Sequence, residues 1–269
     1  NGYMDRTDQA AFYPVAFESG VYQGQTYALP YESNPILMCV NKDLLDKEGI
    51  AVPKEGWTLE EFYTICKKLT KDTNGDGQLD QFGSTEYTWK EALAANGGHL
   101  FQGGMLKLTA PEVKESLTFL QKLEDLNKNY KVSSKDFDQG KVAFYPMTLA
   151  QYRTYKPYPY HVSKYSNFTW TCIPMPAKSK TTKATLVTTT SFAMSARSSH
   201  SKLAWELMQL LTEDPEIQQT LFAQSQGISV MPQVVKSRSS KDLLQVDDFG
   251  TDSLTNQTLN RIMEQAVES

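Results

Sequence analysis

The sequence predicts an α/β protein on three observations. Apolar residues recur at helical spacing behind recognisable caps, short runs rich in Val, Phe, Trp, Thr and Ile lie between them, and the two kinds of segment alternate along the chain. Residues 26–31 and 35–40 read as extended runs separated by Asn34-Pro35. Pro35 has no N–H for a central ladder and turns Asn34 away from helix, so a strand pausing there can cross between two sheets. A helix is expected over 58–70, with Thr58 and Glu61 as a capping box and Leu59, Phe62, Cys66 and Leu69 on one face. A second is expected over 110–128, boxed by Thr109 and Glu112 and marked by Val113, Leu117, Leu120 and Leu123 or Glu124.

Residues 142–147, 168–175 and 186–194 have strand composition between Pro, Lys and Ser clusters. A helix over 201–211 carries Leu203, Ala204, Leu207 and Leu211 on one stripe, Asp214-Pro215 caps and opens the next, and Gly227 ends it. From Asp252 the tail is helical by the spacing of Leu259, Ile262, Met263 and Ala266, and the pattern is still running at Ser269.

The 269 residues are 40% apolar, enough for one large domain or two modest ones. A net charge of -4, from 27 basic and 31 acidic side chains in short mixed runs, provides no basic stripe to track a phosphate backbone, so no nucleic-acid partner is expected. No run approaches the roughly 20 apolar residues of a membrane helix, and no export signal opens the sequence. Cys39, Cys66 and Cys172 are widely spaced among apolar neighbours and read as buried thiols rather than a disulfide or zinc site. Aromatic residues make up 11%, many in polar settings such as 152–160. Rings among polar groups suit sugars, whose C–H faces stack while their hydroxyls seek planar polar partners.

The segment Asp72-Thr73-Asn74-Gly75-Asp76-Gly77-Gln78-Leu79-Asp80 has the pattern of a calcium loop. Asp72, Asn74, Asp76 and Asp80 offer side-chain oxygens at loop positions 1, 3, 5 and 9, and Gln78 a backbone carbonyl at 7, to an ion needing oxygens at about 2.4 Å. Position 12 is Gly83, so the usual bidentate Glu is absent and a sixth ligand would come from Gln81, water or elsewhere. The other reading is an ion-free turn, since Asp, Asn and Gly favour turns themselves. A calcium ion here would be structural, tying down the exit of the helix ending near Thr70.

Several segments in order resemble the family 1 extracellular solute-binding proteins, relatives of the maltodextrin-binding protein. They are Gly24 to Pro30 with Val40-Asn41-Lys42-Asp43-Leu44-Leu45, then Trp57 to Phe62, Asn96-Gly97-Gly98, and Gly140 to Phe144. Phe168 to Pro176, Ala204 to Leu207 and Gly227 to Pro232 complete the series. The acidic loop also resembles that of polysaccharide-binding members, which often carry Glu at the place of Gln81. The resemblance implies a two-lobed, type II periplasmic-binding-protein-like α/β fold with a hinge of crossing segments that closes on ligand. Crossings are implied near 31–34, 187–190 and 232–235. Because the family's first lobe opens with elements absent here, the chain is expected to be truncated at its N-terminus, with the C-terminus open to the same question. Residues 1–33 and 188–232 are then a remnant of the N-terminal lobe, and 34–187 and 233–269 the C-terminal lobe.

The function implied is the extracytoplasmic substrate-binding component of an ABC importer, holding a carbohydrate between two lobes for the permease subunits. A periplasmic or cell-surface location is implied, with any lipid anchor outside this chain. Carried over by position, Tyr31, Glu32, Ser33 and Asn34 face the cleft; Asn34 suits a sugar hydroxyl and equally a turn before Pro35. Tyr87 and Trp89 share the place of a stacking ring, although Trp89 suits a core as well. Tyr145, Tyr152 and Arg153 stand where the second lobe presents aromatics to sugar. Trp170 is more in keeping with core. Thr188, Thr189 and Thr190, Thr189 foremost, bring hydroxyls to the second crossing, for ligand or for the strand itself. No Gly-x-Ser-x-Gly elbow, phosphate-binding glycine loop or His-Glu-x-x-His is present, and no enzyme is expected. A glycosidase, whose carboxylate pair has no short motif, is the main alternative, and a calcium-dependent protein-interaction module is a third.

Overall fold

The computed structural model describes residues 3, 7–102, 104–155, 168–240 and 255–268. Most of the aromatic run at 156–160 and the expected start of the tail helix at Asp252 lie outside the described residues. In chain order come α1 (Pro14–Glu18), β1 (Val21–Tyr22), β2 (Gln25–Thr26), β3 (Leu29–Asn41), α2 (Lys42–Lys47) and α3 (Leu59–Leu69). Then follow β4 (Phe82–Ser84), α4 (Trp89–Ala95), β5 (Phe101–Gln102), β6 (Met105–Leu106), α5 (Pro111–Asp125) and α6 (Ser134–Asp138). Next are β7 (Val142–Thr148), α7 (Leu149–Tyr155), β8 (Trp170–Ile173), β9 (Thr185–Phe192), α8 (Ser201–Glu213) and α9 (Pro215–Gln224). The last are β10 (Ile228–Ser229), α10 (Pro232–Val235), α11 (Asn256–Glu264) and β11 (Ala266–Glu268). Among the described residues, no helix is long and apolar enough to cross a membrane.

The chain divides into two compact units: Asn1–Pro35, Val187–Gln245 and Thr255–Ser269 form the first, and Ile36–Leu186 and Val246–Leu254 the second. The divisions at 35/36 and 186/187 fall inside the strands β3 and β9. The expected grouping of 233–269 with 34–187 is corrected, because α10, α11 and β11 belong to the first unit. Physically, Leu259, Ile262 and Met263 bury the inner face of α11, Tyr13 donates to Asn260 Oδ1 at 2.8 Å, and β11 joins β9.

In the first unit, Leu29–Pro35 of β3 pairs antiparallel with Val187–Phe192 of β9, and β10 pairs with Glu32 and Ser33. Buried Gln218 of α9 ties the unit together. Its Nε2 donates to the carbonyls of Tyr31 (3.1 Å) and Leu211 (2.9 Å), and its Oε1 accepts from Ser229 Oγ at 2.7 Å. A buried amide without these partners would be costly. Asp214 caps α9 as expected, accepting from the N–H groups of Glu216 and Ile217. Gly227 does not end α9, which stops at Gln224 with Ser225 extended. The stripe predicted for α8 is on the wrong face: Trp205, Met208 and Thr212 are buried, whereas Leu203 and Leu207 are exposed. Both stripes have helical spacing, and only the neighbours of the helix decide which is covered.

In the second unit, the C-terminal half of β3 is flanked by antiparallel β7 and β8, and β4 lies parallel to β7. The predicted box opens α3: Glu61 N–H donates to Thr58 Oγ1 at 3.2 Å, and Thr58 N–H to Glu61 Oε2 at 2.6 Å. Leu59, Phe62, Cys66 and Leu69 are buried as read. Helix α3 closes on β4 at a glycine, because a Cβ at Gly83 would lie 2.4 Å from Cys66 Cα. The expected box of α5 is corrected. Pro111 at the first helical position starts it, Ala110 is the N-cap, and Leu117 points to solvent. An unpredicted box, Thr88 with Glu91, opens α4.

Candidate functional site

The second unit contains a groove of about 960 Å³ between the end of β4 with the turn after it (84–87) and the end of α5 with the segment following it (123–132). Parallel pairing with β7 sets the first wall, since Ser84 aligns with Phe144 and Thr85 N–H donates to the Phe144 carbonyl at 3.0 Å. The chain then turns at Glu86, with φ of +51°, before Thr88 caps α4. The second wall turns at Lys128 (φ +46°) and Asn129 (φ +70°), closed by Tyr130 N–H to the Asn127 carbonyl at 2.9 Å. Three of the four non-glycine residues with positive φ among the described residues therefore line this one groove. Left-handed backbone costs Glu86 and Lys128 roughly 1 kcal/mol each, and such strain collects where a surface is shaped for use.

The groove side chains are rigidly supported. Tyr130 stacks on Phe82, with centroids 4.6 Å apart and planes at 22°, and donates to Asp136 Oδ1 at 3.2 Å, while the residue as a whole stays 46% exposed. Glu86 accepts from Ser134 N–H at 3.3 Å and from the Tyr145 hydroxyl. Asn127 and Asn129 add carboxamides to the lining. Thr85 Oγ1 and Tyr87 Oη are buried with no hydrogen-bond partner among the described residues. Burial, with the Glu91 carboxylate second, pushes the Tyr87 phenol well above its usual range and keeps it a neutral donor.

The first unit presents a second polar strip. Asn34 pairs with Thr188 and Glu32 with Thr190, so strand alternation sets these four on one face, Thr188 and Thr190 exposed. Ser33 and Thr189 take the other face and share a hydrogen bond of 3.0 Å, so Thr189 holds the sheet. Tyr31 stacks on Phe192 at 4.3 Å and 20°. Gly227 makes room for Glu32, since a Cβ there would come within 2.3 Å of Glu32 Oε1 and 2.6 Å of the Ser33 carbonyl. Gly227→Ala is expected to lower stability by about 1–3 kcal/mol. A denaturant midpoint unchanged from the parent protein would contradict this.

The predicted site residues thus separate. Tyr31, Glu32 and Asn34 meet in the first unit, with Thr189 turned to the opposite face. Tyr87 lines the groove, but as a core ring packed against Phe62 (5.0 Å) and Phe119 (6.1 Å) rather than an open platform. Trp89 stands exposed at the start of α4, with Lys90 Nζ 6.0 Å from its ring, and is absent from the groove lining. Tyr145 is buried against Phe137 and reaches the groove only through Glu86. Tyr152 is core, edge-on to Trp170 at 5.5 Å, and Arg153 is half-buried beside it. Tyr152 does not face outward, because α7 begins at Leu149 and its helical turn carries Tyr152 inward. Sequence reading missed Thr85, Glu86, Asn127, Asn129 and Tyr130. Asn129 before Tyr130 is a turn signal, but nothing local announces that this turn faces Glu86.

The 72–80 loop is a lattice of short hydrogen bonds. Asp72 accepts from the N–H groups of Asn74 (3.1 Å), Gly75 (2.7 Å) and Gly77 (2.7 Å), and Asp80 from Thr73 N–H and Oγ1, both at 2.9 Å. Asp76 accepts from Gln78 N–H at 2.8 Å. The Gly77 N–H foremost holds the Asp72 carboxyl below its ordinary range. This all-oxygen set suits a hard cation in kind, yet no three acidic, histidine or cysteine side chains converge among the described residues. Gln81 is buried, and its Nε2 donates to the Leu69 carbonyl at 2.8 Å; it anchors the end of α3.

Comparison with solved structures defines the class of fold. The sugar-binding protein MalE of Xanthomonas citri superposes with a TM-score of 0.76 at 16% identity, over 100% of this chain and 67% of that one. An ABC substrate-binding protein of Listeria monocytogenes in complex with cycloalternan gives 0.71 at 18%, over 99% and 68%. The cyclic alpha-maltosyl-1,6-maltose binding protein of Arthrobacter globiformis gives 0.72 at 15%, over 96% and 65%. The chain thus has the expected α/β fold and spans about two thirds of the length of these proteins. The profile of the bacterial extracellular solute-binding proteins matches residues 3–246, and the chain belongs to that family. The recognition made from the ordered segments is correct at the level of the family, whose members act outside the cytoplasm as binders of solutes.

Proposed function

We propose that the protein binds an oligosaccharide as the substrate-binding component of an ABC importer, from the periplasm or as a surface lipoprotein, and passes it to the permease subunits. The observation that carries this reading is the second unit's groove. A braced, half-exposed Tyr130 ring stands beside the Glu86 carboxylate, the Asn127 and Asn129 carboxamides, and the unpartnered hydroxyls of Thr85 and Tyr87. A ring for C–H faces and planar groups for hydroxyls are what a sugar requires. Within the first unit, the polar strip of Glu32, Asn34, Thr188 and Thr190 carries groups of the same hydroxyl-binding kind. The neighbours seen with cycloalternan and maltotetraose support this ligand class, beside one seen with glycerophosphocholine. Binding without catalysis is part of the proposal: chromogenic glycosides should remain uncleaved by protein that binds glycans in calorimetry, and turnover would favour the glycosidase reading.

We also propose a structural calcium ion in the 72–80 loop, held by Asp72, Asn74, Asp76, Asp80 and the Gln78 carbonyl. Support comes from the oxygen-only donor set and the ionised state of Asp72. An ion there would neutralise the carboxylates that follow α3. Calcium in excess over EGTA is expected to raise the melting temperature, since a ligand specific to the folded state stabilises it. Identical melts in calcium and in EGTA would remove the ion from the account.

A further inference from the structure

We propose that Cys39 and Cys172 form an intrachain disulfide in the exported protein. The inference rests on the family's extracellular placement and is independent of which solute is bound. The two cysteines lie 133 residues apart in sequence and face each other directly across the antiparallel pair of β3 and β8. Register decides whether such a pair can be bridged. Lys42 N–H donates to the Thr169 carbonyl at 2.8 Å, which makes 42 and 169 a hydrogen-bonded pair. Bonding alternates along an antiparallel ladder, so 40 with 171 is the next bonded pair and 39 with 172 is non-bonded. Cα atoms at non-bonded positions lie about 4.5 Å apart, with side chains at their closest, inside the disulfide range of roughly 4.4–6.8 Å.

The side chains use that proximity. Sγ of Cys39 and Sγ of Cys172 are 3.1 Å apart on one face of the sheet, both residues are buried, and both belong to the second unit. Cys66, also buried, lies under Gly83 on α3, away from this pair, and stays a thiol. Outside the cytoplasm thiols meet oxidants, and a directly opposed pair is the favoured product. The oxidant is a small-molecule disulfide, RSSR. One cysteine thiolate attacks it, forms a mixed disulfide and releases one RS⁻. The second then attacks the mixed disulfide, closing Cys39–Cys172 and releasing another RS⁻. The two cysteine thiols lose two electrons and two protons, and RSSR becomes two RSH. Burial, foremost, raises the Cys39 thiol well above its ordinary range, so the exchange belongs to folding, before β8 docks.

The experiment takes intact protein exported from its host, denatures it in an alkylating agent without reductant, digests it, and counts adducts on the peptides of Cys39, Cys66 and Cys172 by mass spectrometry. One adduct is expected, on Cys66, on a chain about 2 Da lighter for the two hydrogens lost. With reductant added before alkylation, three are expected. A non-reducing peptide map should join the Cys39 and Cys172 peptides. Exported Cys66→Ser should take no adduct without reductant, which keeps the test decisive if Cys39→Ser or Cys172→Ser fails to fold. Three adducts without reductant, or a bridge involving Cys66, would overturn the proposal.

Discussion

Phe62→Ala is expected to destabilise the second unit by about 3–5 kcal/mol, the usual cost of removing a fully buried aromatic ring. Phe62 is fully buried on α3 and sits at the centre of an aromatic cluster. Trp57 (5.5 Å) and Phe144 (5.5 Å) meet it edge-on, Tyr87 lies at 5.0 Å and Phe119 at 6.2 Å. Four rigid neighbours on α5, β7 and two connecting segments cannot all collapse into the space, so the cavity term adds to the lost transfer free energy. Tyr87 lines the groove, so the same substitution should weaken solute binding through a loosened wall. Urea unfolding of the second unit measures the main effect, and a loss below about 1 kcal/mol would show that the cluster is not the centre of this core.

Tyr130→Ala is expected to weaken carbohydrate binding about 10–100-fold, the effect of removing one aromatic anchor from a pocket. One face of the ring is taken by Phe82 and the hydroxyl by Asp136, leaving a held, partly open surface for stacking. Tyr130→Phe keeps the ring and loses only the bond to Asp136, so its affinity should lie within a few-fold of the parent. Calorimetric titration of both variants, with far-UV melts to confirm the fold, separates the cases. Equal affinity for Tyr130→Ala and the parent would place the sugar elsewhere.

What the sequence disclosed follows how local each signal is. The Thr58–Glu61 box, the Leu59, Phe62, Cys66 and Leu69 face, and the Asp214 cap were legible because each is decided within one or two helical turns. The face of α8 was not. Leu203 and Leu207 are as regularly spaced as Trp205 and Met208, and only the packing partners choose between them. Asn34 and Glu32 were picked out through the family's crossing strand, yet Thr189 was singled out from Thr188 and Thr190 although it lies on the other face, because the pairing register that alternates the three is not written in the strand itself. Tyr152 was assigned to the sugar face because it follows the 142–147 strand among polar residues, whereas helix α7, which begins at Leu149 and carries it inward, has no strong local signal. The groove was the least legible part: its walls lie about forty positions apart, and Glu86 adopts a backbone conformation that no sequence motif requires of a glutamate. Cys39 and Cys172 were read as separate thiols for the same reason, since only the β3–β8 register brings them together.

Isothermal titration of the intact exported protein against a panel of oligosaccharides decides whether its solute is a carbohydrate. Phosphodiesters and amino acids serve as other solute classes. Saturable binding of at least one oligosaccharide is expected, weakened in Tyr130→Ala and spared in Tyr130→Phe. Binding confined to a non-carbohydrate solute, or heats that vanish across the whole glycan panel, would contradict it.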